Sequence, residues 1–296
     1  METLKTTYVA TLQCIDQPGI VRALSAAVFA IDGNILENDQ FTDPVTGQFC
    51  MRTRFETNSD DVVKVRDHLA GELTPFAPTL TLRSEAIRRR ALVMVSKVDH
   101  CLADLLYRRE QGDLPLDVVA VVSNHDDCAS LAARYDVPFF PLSVTEHSKE
   151  SIEELVRDLM TRLNVDFIVL ARYMQILSPE IIAAFPSRII NIHPSLLPYF
   201  PGASPYRQAY ESGARVTGCT AHFVTEQLDQ GPIILQDVFH INVGVDTAED
   251  VREHGLSLEA ETLTKAVKFF LDEELVVVDG KVVFKPGIST FNKAQA

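Results

Sequence analysis

The sequence is poor in the features that mark several broad classes of protein. Its five cysteines, Cys14, Cys50, Cys101, Cys128 and Cys219, are scattered and odd in number. They form no C-x-x-C pair and lack the density of a disulfide framework, which argues against a disulfide-stapled secreted fold and a cysteine zinc site. No apolar run approaches the ~20 residues needed to span a bilayer. The opening "METLKTTYVATLQC" has no basic segment followed by an apolar one. A soluble protein of the reducing cytoplasm, with no membrane association, is expected. Positive charge is also scarce: 27 Lys and Arg against 41 Asp and Glu give a formal net charge of -14. Such a surface repels polyanions and offers no basic footprint for nucleic acid. Low-complexity tracts and fixed-period repeats are absent as well.

Several catalytic schemes fall for want of their residues. There is no G-x-S-x-G; the nearest approach, "GLSLE" at Gly255, lacks the second glycine and falls in a helical region. No G-x-x-x-x-G-K-[ST] occurs, and the turn "VSKVDH" has no glycine to cradle a pyrophosphate. A nucleotide cofactor is therefore not expected. His193, His222 and Asp229 are free to converge in a fold, but no H-E-x-x-H or comparable local pair exists, and no metal is expected.

What is present is a chain of 296 residues, 46% hydrophobic, which is long enough for one large domain or two ordinary ones. Residues 1–83 read as strand, helix, strand, strand, helix, strand. The first helix, in "DQPGIVRALSAAVFAID", carries Ile20, Val21, Leu24, Val28 and Ile31 at helical spacing, with Asp16 as its expected N-cap. This order predicts two helices on one face of an antiparallel sheet, a small ferredoxin-like α+β domain. Residues 84–90, "SEAIRRR", read as a linker, and a different rhythm fills 91–296. There "ALVMVS", "DVVAVVS", "VPFFPL" and "DFIVLA" are short, nearly continuous apolar runs separated by helical segments. That is the pattern of a Rossmann-like, mostly parallel α/β sheet with crossover helices. In "SIEELVRDLMTRLN", Ser151 and Glu154 are spaced as a capping box. "VVVDGKVVF" predicts a closing hairpin turned at Asp279 and Gly280.

Ligands of open parallel sheets bind in the crevice outside the carboxyl ends of the strands. "RIINIHPSLLP" brings Asn191 and His193 to such an end, and Pro194 and Pro198 stiffen the loop that follows. The same two side chains are equally suited to satisfying loop carbonyls. Asp229 and Gly231, in "HFVTEQLDQGPIILQ", read as ordinary turn chemistry unless the fold sets Asp229 beside a histidine. There it would hold the imidazole tautomer or take a proton from water.

These two segments, "NIHPSLLP" and "GCTAHFVTEQLDQGPIILQ", resemble the formyltransferase family that uses 10-formyltetrahydrofolate, over roughly residues 90–280. "GASPYRQAYESG" and "QDVFHI" resemble its deformylase branch, and the first 83 residues resemble the ACT module attached to that branch. The resemblance implies hydrolysis of the folate to formate and tetrahydrofolate, with formate serving purine synthesis and the one-carbon pool, and no cofactor. It implies Asn191, His193 and Asp229 as the catalytic set, and Met174, Gln175, Ile176 and Leu177 in "LARYMQILSP" as the folate-binding stretch. For the ACT module it implies an amino-acid effector at Asp16, Gly19 and Ile20, with Asn34 as a further contact, and a homo-oligomer, dimer or tetramer. The glycinamide ribonucleotide formyltransferase branch holds its substrate's phosphate on a glycine- and serine-rich first loop. Ser96, Lys97, Val98, Asp99 and His100 stand there in this chain, so water is the expected acceptor. A non-enzymatic folate- or amino-acid-sensing protein is the other alternative.

Overall fold

The computed structural model describes residues 5–142, 149–199 and 204–284; residues 200–203, within the "NIHPSLLPYFPGASPY" stretch, lie outside them. The chain divides into two compact units, Met1–Arg88 with Asp272–Ala296, and Arg89–Leu271.

In the first unit, β1 (Thr6–Ile15), β2 (Asn34–Thr42), β3 (Gln48–Thr57) and β4 (Thr79–Ser84) form an antiparallel sheet in the order β2-β3-β1-β4. Alternate residues Tyr8, Ala10 and Leu12 point from β1 into one core. Leu24 and Val28 of α1 (Ile20–Ala30) and Leu69 of α2 (Val62–Leu73) meet them there. Full burial of each large side chain contributes roughly 1.5–3 kcal/mol, so this face holds the unit together. The fold is the ACT-like α+β arrangement expected. The cap of α1 is not Asp16: Gly19, at φ 104°, occupies the N-cap position with no side-chain cap, and Asp16 instead accepts a hydrogen bond from Thr42 Oγ1 at 2.9 Å. A residue that must adopt a left-handed backbone favours glycine over any side-chain cap. The hairpin of β12 (Leu275–Val278) and β13 (Lys281–Phe284) turns at Asp279 and Gly280 as expected, both with positive φ.

The second unit is a seven-stranded sheet. β5 (Arg89–Val95), β6 (Leu116–Ser123), β7 (Phe139–Pro141), β8 (Phe167–Ala171) and β9 (Ile189–His193) run parallel in the order β9-β8-β5-β6-β7. β10 (Val216–Phe223) and β11 (Ile233–His240) extend it antiparallel beyond β9. Leu92 and Met94 of β5 and Ile168 and Leu170 of β8 face a core shared with Val156 and Leu159 of α5 (Lys149–Arg162). Phe167 points the other way, 5.1 Å from the Phe270 ring of α8 (Ala248–Leu271). Both faces of the parallel strands are therefore covered, which is why those strands read as unbroken apolar runs. α5 begins at Lys149, so Ser151 lies inside the helix and not at the N-cap position expected for it. The remaining helices are α3 (His100–Gln111), α4 (Ala129–Arg134), α6 (Pro179–Ala184) and α7 (Pro205–Glu211). No helix among the described residues is long and apolar enough to cross a membrane.

Candidate active site

Strand alternation assembles the site. Side chains two apart on a strand share a face, so Asn191 and His193 project to the side occupied by Ile189 and Leu170. β10 pairs with β9 so that His222 stands opposite Asn191, and opposed residues also share a face. Three polar side chains thus stand together at the end of β9.

The connection between β10 and β11 supplies the fourth. Asp229 adopts the left-handed conformation at φ 54°, uncommon for a residue other than glycine. At Gly231 the backbone passes so close to the Phe223 carbonyl that any Cβ would overlap it. The turn held in this way sets Asp229 Oδ2 3.3 Å from His193 Nδ1, and Oδ1 3.7 Å from His222 Nε2. The His193 hydrogen bond holds the Asp229 carboxyl below its ordinary value, against the opposing effect of partial burial. With Asp229 ionised, the hydrogen between them resides on Nδ1. His193 Nε2 is buried and has no hydrogen-bond partner among the described residues.

His222 fixes Asn191. Its Nδ1 lies 2.8 Å from the Phe223 carbonyl oxygen and donates to it. Nε2 therefore carries the lone pair and accepts from Asn191 Nδ2 at 3.1 Å. Burial lowers the pKa of His222, which favours this neutral form. One Asn191 Nδ2 hydrogen is thus committed to His222, and the second remains for another acceptor. Sequence reasoning weighed His222 only as a metal ligand; the register that sets it opposite Asn191 was the missing signal.

The sequence-predicted folate stretch follows β8. Met174, Gln175, Ile176 and Leu177 line the same cavity of about 820 Å³ as Asn191, His193 and Asp229. Met174 and Ile176 are exposed and Leu177 is buried. Buried Ser96, at the end of β5, anchors this loop: its hydroxyl donates to Asn124 Oδ1 at 2.6 Å and accepts the Met174 N–H at 3.0 Å.

At the cavity wall formed by Arg172 and Glu259 lies a cluster that no local sequence pattern joins. His100 Nε2 is 2.9 Å from Glu259 Oε2, and Arg172 Nε is 3.4 Å from the same oxygen. His100, Cys101 and Glu259 each place a ligand-type atom within 4.8 Å of the others. Two features make a poor metal site of them. Arg172 already sits on the carboxylate, and burial pushes the Cys101 thiol well above its ordinary range, which opposes a thiolate. Asp99 takes the N-cap position of α3 without a side-chain cap.

The four residues expected to hold an effector do not converge within the chain. Asp16, Gly19 and Ile20 cluster before α1, with the Ile20 side chain buried in the core. Asn34 follows the far end of that helix, whose 11 residues span about 16 Å at 1.5 Å per residue, and its strand register sets it level with Thr7 at the other end of β1.

Residues 89–267 match the family model described as formyl transferase. The formyltetrahydrofolate deformylase of Bacillus subtilis (strain 168) is 39% identical over 282 residues, covering 92% of this chain and 91% of its own length. The crystal structure of a formyltetrahydrofolate deformylase from Pseudomonas syringae pv. tomato has a TM-score of 0.90 at 34% identity, covering 96% of this chain and 95% of that one. Glycinamide ribonucleotide transformylase 1 from Symbiobacterium toebii reaches 0.63 at 34% identity and covers 67% of this chain and 94% of its own. Likeness that extends over both units is to the deformylases, and the chain belongs to the formyltetrahydrofolate deformylase family.

Proposed function

We propose that the chain hydrolyses 10-formyltetrahydrofolate to formate and tetrahydrofolate, supplying formate for purine synthesis. The observation that carries this reading is Asp229 set 3.3 Å from His193 on the wall that also holds Asn191. Water adds to the formyl carbon, and the carbonyl oxygen becomes an oxyanion. The uncommitted Asn191 Nδ2 hydrogen and His193 stabilise that oxyanion, while Asp229 positions the water and accepts its proton. The N10–carbon bond then breaks, N10 gains one proton from the water, and the other leaves as formic acid ionises. Atoms and charge balance without a bound cofactor. Met174, Gln175, Ile176 and Leu177 hold the folate, and the loop from Ser96 to His100 offers no glycine nest for an acceptor's phosphate.

The first unit is read as an ACT-like module that binds an amino acid beside Asp16, Gly19 and Ile20 and supports a homo-oligomer. Gly19, at φ 104°, leaves the backbone open at that turn. The proposed compartment is the cytoplasm, where five free, buried cysteines stay reduced.

The test is formate release measured with and without an amine acceptor. Equal rates are expected, and Asp229→Asn should lose about 10²–10⁴-fold in kcat with its fold retained. Strict dependence on glycinamide ribonucleotide would move the chain to the transformylase reaction; full activity in Asp229→Asn would remove the assigned chemistry.

A further inference from the structure

Hydrolysis turns a neutral formyl amide into a small anion, and the cavity wall is not built to welcome one. Asp229, Glu226, Glu249 and Glu259 all line it. Three guanidinium groups line it too, but two are engaged elsewhere. Arg207 is 3.2 Å from Glu211 with its side chain 71% exposed, and Arg252 is 2.6 Å from Glu249 at 50%. Arg172 differs from both. Its side chain is only 18% exposed, and its ion-pair partner is Glu259, whose side chain is fully buried. The 3.4 Å approach lacks hydrogen-bond alignment, so Nε is a buried donor without a partner, and Glu259 Oε1 is a buried acceptor without one. Among the described residues Arg172 donates no hydrogen bond at all.

The backbone places this side chain with care. β8 and β9 pair in parallel with Leu170 opposite Asn191. Arg172 directly follows β8, two residues beyond that pair, and lines the same cavity as His193. Arg172 adopts the left-handed backbone at φ 64°, a conformation unfavourable for a residue other than glycine, which persists only where the surroundings impose it. Here the imposing groups come from the neighbouring carboxyl end and from α8: His100 begins α3 just after β5, and Glu259 reaches in from α8. A guanidinium that lines the same cavity as Asn191 and His193, with its Nε hydrogen bond unmade, has the fork geometry that matches a carboxylate.

We propose that Arg172, anchored by Glu259 and His100, is a subsite for the formate carboxylate produced at His193. The inference rests on the hydrolase reading above. Arg172 takes the product after the N10–carbon bond has broken, and so acts as a binding residue that offsets the carboxylates around it.

The test is a titration of carbon-13-labelled formate against the full chain at constant ionic strength, followed by NMR line-broadening, for the wild type, Arg172→Gln and Arg172→Lys. Saturable broadening is expected for the wild type. Arg172→Gln should weaken binding about tenfold or more, and Arg172→Lys, which keeps the charge but loses the fork, should fall between. Absence of saturable binding to the wild type overturns the proposal. So does unchanged affinity in an Arg172→Gln protein of native circular dichroism; if that variant does not fold, unchanged affinity in Arg172→Lys decides in the same sense. Hydrolysis is assayed on the same preparations. Formate binding that depends on Arg172 without folate hydrolysis would sink the hydrolase reading alone, and hydrolysis with formate binding indifferent to Arg172 would sink this inference alone.

Discussion

His222 makes opposite use of its two nitrogens, donating from one to the Phe223 carbonyl and accepting at the other from Asn191. Protonation would turn the accepting nitrogen into a donor facing a donor, and Asn191 would lose its orientation. Burial lowers the pKa of His222 from 6.5, so the unfolded chain binds that proton more readily than the folded one. This contribution to stability is full above 6.5 and falls as pH drops from there toward the folded value. Asp229, held below its own ordinary 3.8, stays ionised throughout that window. We predict that kcat/KM and the melting temperature both decline as pH falls below the ordinary histidine range. His222→Gln, whose carbonyl accepts from Asn191 at every pH, should flatten that limb; a limb unchanged in the variant would assign it to another group. Asn191, His193 and Asp229 stand out in the sequence through two motifs that resemble the formyltransferase family; strand ends and turns alone leave them equally suited to loop and turn roles. The alliance of Arg172 with Glu259 was not legible there, since 87 residues separate them in the chain and no local pattern refers one to the other.

At the scale of elements, the loop after β8 depends on a single hydroxyl. Ser96 ties the Met174 backbone to β5 and to Asn124. Removing it leaves the part-buried Met174 N–H and the buried Asn124 amide oxygen without that partner, at a cost of about 1–3 kcal/mol. Ser96→Ala should therefore raise KM for the folate by up to about tenfold while kcat changes much less, because the loop binds and does not react. A fall in kcat at unchanged KM would show that the loop orients the reacting carbon instead. Strands and helices were largely readable from period alone, and helix starts were not. Asp16 and Ser151 both look like caps, but α1 starts from a left-handed glycine and α5 runs past its apparent cap. A side chain with capping chemistry specifies a local option, and the packing of the whole helix decides whether it is taken.

For the whole molecule, the sequence separated a ferredoxin-like rhythm from a parallel α/β rhythm, but it gave no order to the strands. The sequence β11-β10-β9-β8-β5-β6-β7 is set by crossovers and by two antiparallel returns that apolar runs do not encode. Regulation belongs to this scale as well. Calorimetry of the full chain against the common amino acids should detect at least one that binds, with binding weakened in Gly19→Ala, whose backbone would be strained at φ 104°. No heat from any amino acid would remove the effector.

The pairing of His222 with Asn191 has a consequence for how the protein is made. A slip of one residue between β9 and β10 would carry His222 to the opposite face of the sheet, away from both Asn191 and Asp229. The β10–β11 ladder already skips Ile234 of β11, between the partners of Ala221 and His222, while the β9 edge of β10 pairs without a break. A slipped chain would keep much of its helical content and many of its apolar contacts while losing the His222–Asn191 pairing that orients the site. Turnover in a refolded preparation therefore counts correctly threaded molecules, which makes catalysis a direct assay of folding fidelity.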